Sequence, residues 1–224
     1  MQNTKGLEAV IFDMDGVIFD SERLVLACWV ELAAKYGIRG IEEAMYECLG
    51  TNAADTKAIM LRRYGADFPY ERFRKEASAI FHERYDNGRL PMKKGVVELL
   101  EYLAGENIKI ALASSTRQEV VRRELRDAGI LPFFGQVICG DMVKRSKPAP
   151  DIYLKACEAL GVIPQKACAI EDSYNGIRSA HSAGLTPIMV PDLSAPTKEM
   201  EQLAAVILPD LSAVQEYLAL ASCQ

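Results

Sequence analysis

Apolar residues along the chain fall into two patterns. Short, unbroken and β-branched runs recur: AVIF (9–12), IKIALAS (108–114), QVIC (136–139), ACAI (167–170), TPIMV (186–190) and AAVIL (204–208). Most do not alternate with polar residues, which predicts strands covered on both faces. Between them lie stretches of helical period, GVVELLEYLAGEN (95–107), TRQEVVRRELRDAG (116–129) and DIYLKACEALG (151–161). Strands alternating with helices of this length predict an α/β fold, a doubly wound parallel sheet.

One stretch breaks the alternation. From residue 20 to 93 no convincing strand occurs, only helical patterns punctuated by Gly37, Gly40, Gly50, Gly65, Pro69 and Gly88. Leu24, Cys28 and Leu32 recur every four residues, the spacing of a buried helical stripe. The stretch is expected to be a helical domain inserted after the first strand. Residues 1–19 and 94–224 would then form the core domain, and 20–93 the insertion.

Composition narrows the class. At 224 residues the chain can bury one large core, or a core with a smaller insertion. The net charge of −5 suggests neither a nucleic-acid groove nor an anionic membrane surface. Residues 20–93 hold 12 basic and 12 acidic side chains, so the excess negative charge lies in the core. A small anionic substrate must be drawn in by local cations or a metal. No apolar run approaches the roughly 20 residues of a membrane span, and MQNTKGLEAV lacks a signal-peptide core. A cytoplasmic, monomeric protein is expected. The six cysteines show no paired spacing, and His82 and His181 lie far apart. Neither a disulfide framework nor a zinc site is expected, and both histidines are assigned structural roles.

The candidate chemistry lies at strand ends. In open α/β sheets ligands bind at the carboxyl ends of the strands, where the pattern places Asp13, Ser114 and the pair Glu171–Asp172. Several carboxylates at one edge repel each other unless a cation compensates, and an oxygen-only set suits Mg²⁺. A phosphate ester is the natural substrate beside such a cation. Asp13 could act as nucleophile through an aspartyl-phosphate, and Asp15 as proton donor and then base. Gly16 permits a sharp bend past the strand. Ser114 could bind a phosphoryl oxygen, and Lys147, ahead of Pro148 and Pro150, could meet the phosphoryl charge. Each feature alone has a plainer reading. D-x-D-G can be a turn, Ser114–Ser115–Thr116 a helix cap, Lys147 a solvated lysine, and Glu171–Asp172 a cap for a helix near Tyr174. Their occurrence in order argues for a joint site.

The stretches FDMDGVIFDSE, ALASST, SKPAPDIY and AIEDSYNGI resemble the four ordered motifs of the haloacid dehalogenase superfamily, over nearly the whole chain. The insertion resembles that family's type-one helical cap on a Rossmann-like core, in the branch of β-phosphoglucomutase and the sugar-phosphate and nucleotide phosphatases. The resemblance implies Asp13 as nucleophile and Asp15 as general acid/base. It implies Mg²⁺ held by Asp13, the Asp15 carbonyl and Asp172, with Glu171 direct or through water. Phosphoryl binding would fall to Ser114, Ser115 and Lys147. Dehalogenases proper lack an acid at position 15, and the ATPase motif D-K-T-G is absent.

Phosphatase and mutase are separated by the insertion. The mutase carries a histidine ten residues after the general acid, where this chain has Val25, and a cap arginine where it has Ala53. Both absences favour water as acceptor, hence a phosphatase acting on a small phosphorylated metabolite; a hexose-phosphate mutase is the alternative. Arg23, Thr51 and Asn52 are the candidate specificity residues of the cap. A non-catalytic regulatory protein would not need to keep Asp13, Asp15, Lys147 and Asp172 together.

Overall fold

In the computed structural model, which describes residues 6–49, 51 and 53–222, all six apolar runs become strands of one parallel sheet. They are β1 (Ala9–Phe12), β2 (Lys109–Ser114), β3 (Gln136–Cys139), β4 (Ala167–Glu171), β5 (Thr186–Met189) and β6 (Val206–Ile207), in the order β3-β2-β1-β4-β5-β6. The sixth run shrinks to two half-buried residues, because β6 pairs only with β5 at the sheet edge. The chain builds outward from β1 to β3, then returns to place β4 on the other side of β1. The winding therefore reverses between β1 and β4, where open α/β sheets bind ligands.

The unbroken apolar runs follow from burial on both faces. Val10, Phe12, Leu112 and Ile170 pack with α5 (Val96–Gly105), α6 (Gln118–Asp127) and α10 (Leu211–Ser222). Ala9, Ile11, Ala111, Ala113 and Ala169 face α7 (Asp151–Leu160) and α8 (Tyr174–Ser182). Alanines keep this second face shallow, so the Tyr153 ring of α7 can lie against it, fully buried. α9 (Lys198–Leu203) packs through Met200 against Ile177 and Met189.

Between β1 and β2 the chain forms α1 (Ser21–Tyr36), α2 (Ile41–Cys48), α3 (Ala53–Tyr64) and α4 (Tyr70–Tyr85). These helices carry their own apolar cluster, built on Trp29, Leu32, Met60, Tyr70 and Phe73. The expected stripe on α1 divides: Leu24 and Cys28 join the sheet's cluster, while Leu32 joins the insertion's. The two crossings between the units run side by side. Asp20 N–H donates to Pro91 O at 3.0 Å, Lys93 N–H donates to Ile18 O at 2.8 Å, and Phe19 bridges antiparallel to Met92.

Among the described residues no helix is long and apolar enough to cross a membrane. The five described cysteines are buried and free.

Candidate active site

Two glycines make room for the acids. Gly16 sits at φ +77°, and a Cβ there would lie 2.3 Å from Asp172 Oδ2. Only glycine permits both this backbone bend and the approach of the carboxylate. A Cβ on Gly176, in the first turn of α8, would overlap the Glu171 carboxylate. Ser173 caps that helix, its Oγ accepting the Gly176 N–H at 3.1 Å. The cap reading of Glu171–Asp172 therefore does not hold, and both acids turn toward the end of β1.

Lys147 is not a solvated lysine. Its side chain is 2 % exposed, and Nζ donates to Asp13 Oδ1 and Glu171 Oε1, each at 2.6 Å, and to Ala113 O at 3.0 Å. Tyr153 OH also donates to Glu171 Oε1, at 2.5 Å, and Ser173 Oγ lies 3.3 Å from Oε2. Glu171 thus holds Lys147 against Asp13. Burial works against the ammonium, but Asp13 and Glu171 outweigh it and hold its pKa above the usual lysine range.

Asp15 lies opposite, held by two hydroxyls. Ser21 Oγ donates to Oδ1 at 2.6 Å and Thr116 Oγ1 to Oδ2 at 3.0 Å. Ser114 is wholly buried, and its Oγ accepts the Thr116 N–H at 3.0 Å. Ser114–Ser115–Thr116 thus form a turn, and α6 begins beyond them, with Gln118 N–H donating to Asp141 Oδ1 at 3.2 Å. Ser115 and Thr116 line the cavity beside the acids, but Ser114 does not.

That cavity, of about 420 Å³, runs from Asp13, Asp15, Lys147 and Asp172 into the helical insertion. Its far wall is largely apolar, with Val25, Trp29, Leu49, Tyr70 and Phe81. Of the proposed specificity residues, Thr51 lines the cavity, its hydroxyl bonded to Cys48 O at 2.7 Å and 2.9 Å from Thr56 Oγ1. Asn52 lies outside the described residues. Arg23 does not line the cavity: it pairs with Asp192 at 2.9 Å and Asp20 at 3.4 Å, and is half exposed. His82, expected to be structural, lines the cavity with Nδ1 2.8 Å from Asp86 Oδ1. Ala53 lines it too, as do Arg74 and Glu124.

Sequence reading missed Ser21, Glu22, Thr116, Glu124 and Tyr153. Ser21–Glu22 end the first motif and Tyr153 ends the third, which was the available signal. Glu124 carried none, since nothing in α6 marks its facing of the site.

Crowded carboxylates set the electrostatics. Burial pushes Asp13 up to about 8, Lys147 opposes this, and Glu171 and Asp15 add to it. Burial, then Asp15, raises Glu22 to about 8. Asp172 is driven well above the carboxylate range by burial and by Glu22, Asp13 and Glu171. Oxygens of Asp13, Glu171 and Asp172 lie within 4.8 Å of one another. This hard, oxygen-only set, destabilised by its own charge and roofed by glycine, fits Mg²⁺. A cation reverses the local balance and holds the acids ionised.

Comparison with known proteins decides the family. The haloacid dehalogenase-like hydrolase family matches residues 10–190. This chain belongs to that family. A phosphorylated carbohydrates phosphatase of Thermotoga maritima is 36% identical over 186 residues, covering 81% of this chain and 84% of the relative. A β-phosphoglucomutase of Bacillus subtilis is 31% identical over 192 residues, covering 82% and 83%. Among haloacid dehalogenase-like structures, CbbY of Rhodobacter sphaeroides in complex with phosphate superposes with a TM-score of 0.75 at 28% identity, covering 93% of this chain and 96% of that one.

Proposed function

We propose that the protein is a Mg²⁺-dependent phosphatase of small phosphorylated metabolites, with phosphorylated carbohydrates the first class to test. The observation that carries this is the convergence of Asp13, Lys147 and Asp172 at one sheet edge, with Asp15 held two residues from Asp13. Asp13, Asp172 and the Asp15 main-chain carbonyl would hold the cation, with Glu171 directly or through water. When bound, Mg²⁺ neutralises charge on the phosphoryl oxygens and keeps Asp13 ionised.

An Asp13 carboxylate oxygen attacks phosphorus, and the bond to the leaving oxygen breaks while Asp15 gives that oxygen its proton. The product is an aspartyl-phosphate and a free alcohol. Asp15 then takes a proton from water, whose oxygen attacks phosphorus and restores Asp13 with release of phosphate. Ser21 and Thr116 hydroxyls can donate or accept, so they suit Asp15 in both protonation states. Lys147 stays charged and fixes Asp13, and it faces the phosphoryl group together with Ser115. The four helices act as the cap that excludes water and selects the leaving group.

Val25 and Ala53 on the cavity wall support water as acceptor. One observation favours the mutase as a second reading: His82 enters the same cavity from α4. Phosphate release from an aryl phosphate with Mg²⁺, abolished in Asp13→Asn, tests the first reading, and full activity in that variant would overturn the nucleophile. Conversion of β-glucose 1-phosphate to glucose 6-phosphate faster than hydrolysis would favour the second. A panel of phosphorylated metabolites identifies the substrate.

A further inference from the structure

A second acidic group joins the insertion to the site. One carboxylate oxygen each from Glu22, Asp172 and Asp192 lie within 4.8 Å of one another, and Asp172 also belongs to the Asp13–Glu171–Asp172 group. The three come from different places: Glu22 from the first turn of α1, Asp172 from the end of β4, and Asp192 from the loop after β5. Two of their oxygens, Glu22 Oε2 and Asp192 Oδ2, are buried with no hydrogen-bond partner. The Asp192 side chain is only 1 % exposed. A buried carboxylate oxygen without a partner is costly and marks the place of a missing donor or cation.

The neighbouring cations do not fill that place. Lys93 Nζ and Arg23 both bind the other Asp192 oxygen, Oδ1, at 2.7 and 2.9 Å. Lys147 is committed to Asp13 and Glu171. Among the described residues no lysine or arginine pairs with Glu22 or Asp172. Glu22 also lines the cavity beside Asp13 and Asp172, so its carboxylate borders the space in which the cation is expected.

We propose that Glu22 completes the divalent-cation site from the insertion, directly or through a cation-bound water, so that cation binding fastens the first turn of α1 to the sheet. This rests on the reading of Asp13 and Asp172 as Mg²⁺ ligands. Glu22 is a positioning residue: it makes cap placement depend on the metal as well as on substrate. Ser21, its neighbour, binds Asp15, so the same fastening sets the proposed acid in place.

Trp29 is the single tryptophan and lies two turns along α1, facing the cavity. The test is Mg²⁺ titration of the substrate-free protein by calorimetry and by Trp29 fluorescence, with amide exchange of α1. Wild type should bind one Mg²⁺, with slowed exchange in the first turn of α1 and a change in Trp29 emission. In Glu22→Gln the dissociation constant should rise about tenfold and both cap responses should vanish, whereas Asp172→Asn should not bind. If Glu22→Gln binds as tightly as wild type and keeps both responses, the proposal is overturned while the Mg²⁺ site stands. If wild type itself does not bind Mg²⁺, the site reading falls and the proposal with it. Should Glu22→Gln not fold, Glu22→Asp keeps the charge but shortens the reach. It should weaken binding, and wild-type affinity there would count against the proposal.

Discussion

Ser21 Oγ lies 2.6 Å from Asp15 Oδ1, so a hydroxyl at the start of the helical insertion touches the proposed acid–base group of the sheet. Thr116 holds the second oxygen of the same carboxylate from the β2 side. Hydrogen bonds to a charged group contribute roughly 1.5–3 kcal/mol, about tenfold or more in rate where the group is catalytic. Ser21→Ala should lower kcat by about tenfold with KM little changed, and shift the pH–rate profile. Steady-state kinetics across pH checks this, and an unchanged kcat would remove Ser21 from the machinery.

Lys147 should be harder to replace than its supporting tyrosine. Lys147→Met leaves Asp13 and Glu171 buried without their ammonium, and breaking a buried pair in this way costs about 3–5 kcal/mol. Tyr153→Phe removes one donor from Glu171 Oε1 while Nζ stays at 2.6 Å, a loss of about 1–3 kcal/mol. The lysine variant should be inactive and markedly less stable in denaturant unfolding. The tyrosine variant should fold and retain measurable turnover.

These contacts show how far sequence reading reaches. β1 and β4 were legible because strands covered on both faces leave unbroken apolar runs, and Asp13, Glu171 and Asp172 because they end those runs at the binding edge. Lys147 was legible only together with the other motifs. The Asp15 clamp was not legible, since Ser21 and Thr116 are far apart in sequence and each reads locally as an ordinary helix-start or turn residue. Arg23 shows the converse: locally it reads as a free cation in the first turn of α1, but Asp192, some 170 residues on, binds it. Ser173 resolved another ambiguity, because by capping α8 it releases Glu171 and Asp172 for the site.

Stability should depend on pH with a sign that Mg²⁺ cancels. In the metal-free protein Asp13 and Glu22 titrate near 8, and Asp172 is raised as well, against about 4 in the unfolded chain. Between these values the folded state binds more protons than the unfolded one. Stability is therefore fully present below about pH 4 for these groups, and is lost as pH rises toward 8. The raised Lys147 titrates above this window and does not contribute. With roughly 2–4 °C per kcal/mol for a chain of this size, the melting temperature in chelator should fall by several degrees from pH 6 to pH 8. Millimolar Mg²⁺ should raise it most at pH 8 and flatten the dependence. Thermal melts with and without metal decide this, and a chelated protein more stable at pH 8 than at pH 6 would contradict the assignment.

Phe73 tests whether the insertion is stabilised separately from the sheet. Its ring is 2 % exposed and lies 5.1 Å from Trp29, 5.6 Å from Phe68 and 6.1 Å from Tyr36, centroid to centroid. Trp29 belongs to the insertion's cluster and Phe68 packs on it, and that cluster has no buried member in common with the cluster that covers β1. Phe73→Ala should cost about 3–5 kcal/mol, and the loss should stay local because the two cores meet mainly through α1, the Phe81 end of α4 and the paired crossings. Trp29 emission should shift to the red and amides of α1–α4 should exchange faster, while those of β1 and β4 keep their protection. Catalysis should split in the same way. Turnover of a small aryl phosphate needs little from the insertion and should survive in part, whereas any substrate whose leaving group fills the apolar end of the cavity should lose most of its kcat/KM. Equal loss of protection in β1 and α4 would show instead that the two units unfold as one.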